Sequence, residues 1–158
     1  MKLSQFNPTK ACNEAKPMRL RYPYPPFQPL EDESGEGPEI LVYGGQSDIA
    51  KNAQRERDRQ YGKRESLTER EERQSGAELL AALTAGWNEH VEDDSGPLEF
   101  TRENAIDLYL REDWIARQVL EFSMNLRNYD PKLYGVSGSG SASSHGSTGA
   151  PEKRRKAG

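Results

Sequence analysis

The amino-acid sequence predicts a mainly α fold: a small helical domain with a short N-terminal β-hairpin-like element and a disordered C-terminal tail. Three observations carry this. Hydrophobic residues make up only 33 % of the 158-residue chain, so a core forms only where they concentrate, and they gather at helical spacing around 79–87 and 106–126. Two short runs, 18–22 and 38–43, have the character of strands. Beyond about residue 135 the composition falls to Gly, Ser, Ala and Thr and closes on the basic end "EKRRKAG", too little apolar surface to offset ordering entropy. The chain divides accordingly into a flexible arm (1–17), a β ribbon with a proline-rich connection (18–45), a helical core domain (46–130) and a disordered tail (131–158).

In chain order, Met18-Arg19-Leu20-Arg21-Tyr22 alternates apolar with basic, the period of a strand buried on one face. "PYPPFQP" at 23–29 cannot lie inside a sheet, because proline lacks the N–H that a ladder needs. Ile40-Leu41-Val42-Tyr43 is rich in β-formers and stops at Gly44-Gly45, so it can pair with 18–22 as an antiparallel ribbon. Ser47 followed by Asp48 reads as an N-cap with an acid in the first turn. The helix behind it mixes both charge signs, as a solvated face does. Ser66 and Thr68 are further start signals, and Ser66 with Glu69 has capping-box spacing. Leu79, Leu83 and Trp87 (i, i+4, i+8) give that helix its apolar face, and Gly86 reads as its stop. Thr101 is the next N-cap, with Phe100 placed to staple against Ala105. Ile115, Val119, Phe122 and Leu126 form one stripe of a final helix that ends at Asp130-Pro131. Segment 86–100 then reads as a corner turning two helices onto one core, with Trp87 and Phe100 as its packing pins and Phe122 in the core.

Catalytic chemistry has thin support. His90 and His145 are the only histidines and Cys12 the only cysteine, and none stands in a zinc-site or HExxH spacing. "HVEDDSG" at 90–96 lacks the alternating ligands of an EF-hand. The expectation is a protein that is not an enzyme, with no cofactor and no metal. A net charge of −4 gives no general attraction to nucleic acid. With neither a membrane-span-length apolar run nor an apolar signal region, a soluble, cytoplasmic protein is expected.

The stretch "AELLAALTAGWNE" (77–89) followed by "PLEFTRENAIDLYLREDWIARQVLEFSMNLRNY" (97–129) resembles the tail assembly chaperones of long-tailed bacteriophages and related prophages. Gly86, Trp87, Phe100, Thr101, Glu103, Asn104, Ala105 and Trp114 carry the match, and "PEILVYGGQSDIAKNAQRERDR" (38–59) is similar to the strand and charged helix of that group. The resemblance implies a helper made in the host cytoplasm and absent from the finished particle. Such a helper binds the tape measure protein, keeps its apolar helices from aggregating and helps recruit the tail tube protein. A minor structural protein of the virion and a DNA-binding regulator are the alternatives, and self-association is a further expected contact.

A chaperone must keep apolar surface free for its client. Tyr22, Tyr24 and Phe27 of the ribbon, and Trp114, Leu120 and Met124 flanking the last stripe, are the candidate partner-binding residues, since aromatic side chains and methionine are enriched at interface cores. The other reading of Trp114 and Leu120 is that they complete the core.

Overall fold

The computed structural model of the protein describes residues 7–62 and 64–130; the predicted disordered tail lies outside them. Its elements run α1 (Pro8–Cys12), β1 (Lys16–Arg19), β2 (Glu39–Val42), α2 (Asp48–Tyr61), α3 (Glu69–Leu83), β3 (Thr84–Trp87), β4 (Glu92–Asp93), β5 (Gly96–Pro97), α4 (Arg102–Arg111) and α5 (Asp113–Met124). Strands β1, β2 and β3 form one antiparallel sheet in that order, and β4 and β5 a separate two-stranded hairpin. Among the described residues five α-helices stand with a small three-stranded antiparallel sheet, so the fold is roughly mixed α/β rather than purely α.

Capping sets several helix boundaries. The Ser47 hydroxyl accepts from Ala50 N–H and the Thr101 hydroxyl from Asn104 N–H, each satisfying an orphan donor. Helix α3 starts one cap later than the Ser66 spacing suggested: Thr68 accepts from Glu71 N–H at 3.2 Å. Gly62, at φ 69°, closes α2 in a conformation that disfavours a side chain.

The sheet supplies one wall of the core. Met18, Ile40 and Val42 are buried on its inner face, while Leu41, between the last two, points outward and is exposed. Against them pack Ala77, Leu80, Ala81 and Leu83 of α3, Ala105, Leu108 and Tyr109 of α4, and Ile115 and Val119 of α5. Pro17 lies on the edge strand β1, where its missing N–H deters pairing with another chain.

Four expectations are corrected. First, the ribbon pairs as foreseen, but its first strand is Lys16–Arg19, so Tyr22 falls in the following loop. Second, residues 7–17 are no loose arm. Cys12 is 1 % exposed, its carbonyl accepts from Gly44 N–H at 3.1 Å, and the Asn13 side chain both donates to the Asp48 carboxylate and accepts from its N–H. Third, α3 ends at Leu83, and Gly86 is not its stop but a strand residue opposite Leu41. The helical spacing of Leu79, Leu83 and Trp87 therefore breaks: Leu80, not Leu79, is buried, and Trp87 belongs to β3. Segment 86–100 is a strand end and a hairpin rather than a bare corner. Trp87 and Phe100, both half-buried, meet edge to face at 4.9 Å, and the Trp87 indole donates to Leu98 O.

Fourth, the last helix stops at Met124 instead of running to Asp130. Asn125 turns the chain out of it and accepts from Arg127 N–H, starting a 3₁₀ turn at Leu126–Asn128. Leu126 thereby leaves the stripe, and Phe122 is half-buried against Tyr129, ring centroids 5.7 Å apart. Tyr129 takes the fully buried place, its hydroxyl donating to Val42 O at 3.0 Å.

Gly44 is required by a close approach: a Cβ there would overlap the Cys12 side chain. Gly44→Ala is expected to destabilise by about 1–3 kcal/mol, the usual range for overpacking. A urea midpoint equal to that of the parent would show that the α1 docking is softer than this geometry implies.

Candidate functional site: an aromatic cleft between the proline-rich loop and helix α5

The loop at 21–29 is stitched to itself. Arg21 and Pro29 form an isolated antiparallel bridge, Tyr22 N–H donates to Gln28 O at 2.9 Å, and Phe27 N–H donates to Tyr24 O at 2.9 Å. The Pro25-Pro26 peptide is cis. Phe27 has φ 56°, left-handed for a residue with a bulky side chain, a conformation that costs about 1–2 kcal/mol. The Arg21 guanidinium helps to hold it by donating to Phe27 O at 3.2 Å.

Helix α5 holds the loop through Gln118. The side-chain amide accepts from Arg21 N–H at 3.0 Å and donates to Arg21 O at 2.8 Å, taking the place of a neighbouring strand. This clasp opens a cleft of about 460 Å³ with Tyr22, Pro23 and Phe27 on one side and Trp114, Arg117 and Glu121 on the other. Trp114 is half-buried and its indole N–H donates to the Glu112 carboxylate at 2.9 Å. The Tyr22 and Tyr24 rings meet at a tilt of 39° with centroids 5.5 Å apart, and Tyr24 is 60 % and Phe27 51 % exposed.

Of the six residues nominated from sequence, Tyr22, Phe27 and Trp114 line this cleft, and Tyr24 sits against Tyr22 beside it. Leu120 and Met124 do not line it. They are exposed, Met124 at 74 %, and lie four residues apart on another side of α5. Sequence reasoning passed over Gln118, Arg21 and Arg117. The spacing of Trp114, Arg117, Gln118 and Glu121 (i, i+3, i+4, i+7) marks one face of a helix, but nothing in it names the loop as that face's partner.

Titratable groups elsewhere serve the fold. Burial pushes the Tyr109 hydroxyl up to about 12, against the lowering effect of its 2.6 Å hydrogen bond with Thr84. Burial likewise raises the Tyr129 hydroxyl and the Cys12 thiol, leaving Cys12 with little thiolate character. Hydrogen bonds from Ser34 hold Asp32 below the usual carboxylate range, and those from Ser95 do the same for Asp93. Both acids close tight turns, which accounts for the acidic loops without a ligand. Among the described residues no three His, Cys, Asp or Glu side chains converge to hold a metal ion. In α2, Arg57 donates to Ser75 and Arg59 pairs with Glu56, so its arginines do not form a free basic stripe. Among the described residues no helix is long and apolar enough to cross a membrane.

Comparison of the chain with protein-family models, with curated proteins and with solved structures returns no match.

Proposed function

We propose that this chain is a non-enzymatic tail assembly chaperone of a long-tailed bacteriophage. It works in the host cytoplasm, holding the apolar helices of the tape measure protein and helping to bring in tail tube subunits. One observation carries the reading: two segments nearly a hundred residues apart are clasped together so that Tyr22, Tyr24, Phe27 and Trp114 form one accessible aromatic surface. A protein serving only its own stability gains little from keeping those rings in water or from holding Phe27 in a left-handed conformation. The pattern at 77–129 that resembles such chaperones supports the same reading.

The test is co-purification of the tagged chain from infected cells, with the tape measure protein or the tail tube protein expected to come down with it. Mass spectrometry of purified particles should find the chain missing or at trace level. Stoichiometric presence there would replace the chaperone with a minor structural protein, and salt-dependent binding to duplex DNA without either tail protein would favour a regulator. The double change Tyr24→Ala with Phe27→Ala should weaken client capture by about tenfold or more. Because both rings are exposed, the melting temperature should move by no more than about 2 °C. Capture that survives the double change unaltered would place the client contact on another face.

A further inference from the structure

We infer that the cleft between the proline-rich loop and α5 takes one face of an amphipathic helix that carries a carboxylate beside its apolar anchors. The inference deepens the chaperone reading and rests on it for the presence of a helical client. Three features of the cleft select this occupant.

The first is the state of the loop backbone. An extended peptide binds by adding main-chain hydrogen bonds to a free edge. At this cleft, Arg21 N–H and C=O, which would offer that edge, are both bonded to the Gln118 amide. The cleft therefore offers an occupant no strand edge to extend, which disfavours strand addition and favours a helix, whose backbone is satisfied internally. The second is shape. Trp114, Arg117, Gln118 and Glu121 present about two turns of α5, and Tyr22 and Phe27 form the opposite wall. A groove of that length accepts apolar anchors at i, i+3, i+4 and i+7 of a second helix.

The third is charge. The cleft carries two guanidinium groups and one carboxylate, Glu121, on a chain of net charge −4. The Arg21 guanidinium donates to a backbone carbonyl, and among the described residues neither it nor Arg117 pairs with a carboxylate. A carboxylate on the incoming helix gives them a partner and lets their planar forks bind both of its oxygens. Nucleic acid could also use arginines and aromatic rings. Glu121 in the cleft and the acidic chain as a whole oppose a polyanion, so a protein helix is the better match.

The experiment measures binding to the full chain by fluorescence anisotropy. One labelled helical peptide has leucines at i, i+3, i+4 and i+7 flanked by glutamates; its twin has arginines in place of the glutamates. The acidic helix is expected to bind about tenfold tighter than the basic one. Arg117→Glu, an exposed position that leaves folding intact, should reverse that order. Equal affinity of the two peptides, no binding of either, or an order unmoved by Arg117→Glu overturns the inference. So does tighter binding of an extended proline-rich peptide or of single-stranded DNA. The two readings fail separately. A tape measure protein that still co-purifies with the Arg117→Glu chain sinks the cleft and spares the chaperone. The expected peptide order with no tail protein captured in cells does the opposite.

Discussion

Tyr129→Ala is expected to destabilise the protein by about 4 kcal/mol and to lower its melting temperature by roughly 10–15 °C. Tyr129 is 2 % exposed, its ring meets Phe122 edge to face, and its hydroxyl donates to Val42 O across the core. Truncation would remove a large buried ring and leave a cavity between the sheet and the turn after α5. Tyr129→Phe separates the parts: it keeps the ring and loses one buried hydrogen bond, for about 1 kcal/mol. Phe122→Ala should fall below the usual 3–5 kcal/mol for a fully buried phenylalanine, because Phe122 is only half-buried. Urea denaturation of the three variants tests the ranking. A Tyr129→Ala loss smaller than that of Phe122→Ala would mean that the segment after α5 is not part of the cooperative core.

The second large effect is alkaline unfolding. Tyr109 is 3 % exposed, and its folded-state pKa is raised from 10.0 to about 12 by desolvation. Below pH 10 the hydroxyl is protonated in both states and contributes no pH dependence. Between pH 10 and 12 the unfolded chain releases the proton and the folded chain holds it, so stability falls as pH rises. Over those two units Tyr109 alone should remove about 2–3 kcal/mol. Tyr129, shifted in the same direction by burial, steepens the fall. Urea midpoints at unit intervals from pH 9 to 12 should begin to fall slightly as the unfolded Cys12 thiol ionises and should decline most steeply above 10, and Tyr109→Phe should flatten that steeper slope. A midpoint constant up to pH 12 would mean that these hydroxyls reach water in the folded state.

Local chemistry was legible from the sequence where a single segment settles the matter. Ser47 and Thr101 cap their helices because a hydroxyl beside free N–H groups meets a need within three residues. Met18 and Leu20 turn inward because the apolar–basic alternation of 18–22 already encodes a segment buried on one face. The end of α3 was not legible. Thr84–Trp87 is short, contains a glycine and continues a helical spacing, and it becomes a strand only by pairing with Glu39–Val42. That pairing joins residues more than forty apart in sequence, and no local propensity records it.

The candidate site divides in the same way. Tyr22, Tyr24, Phe27 and Trp114 stood out as aromatic residues with no assured place in the core, a property that composition and periodicity express. That three of them line one cleft with Arg21 and Arg117 depends on the Gln118 amide reaching the Arg21 backbone, and a glutamine on a polar helix face announces no such partner. Which residues cap, which alternate and which rings are left over can be read along the chain, because those properties follow from interactions within a few residues. Which strand closes the sheet, the place of Tyr129 rather than Leu126 in the core, and which rings meet are set by packing between distant segments. Those outcomes depend on contacts whose energy appears only once distant segments are already in place.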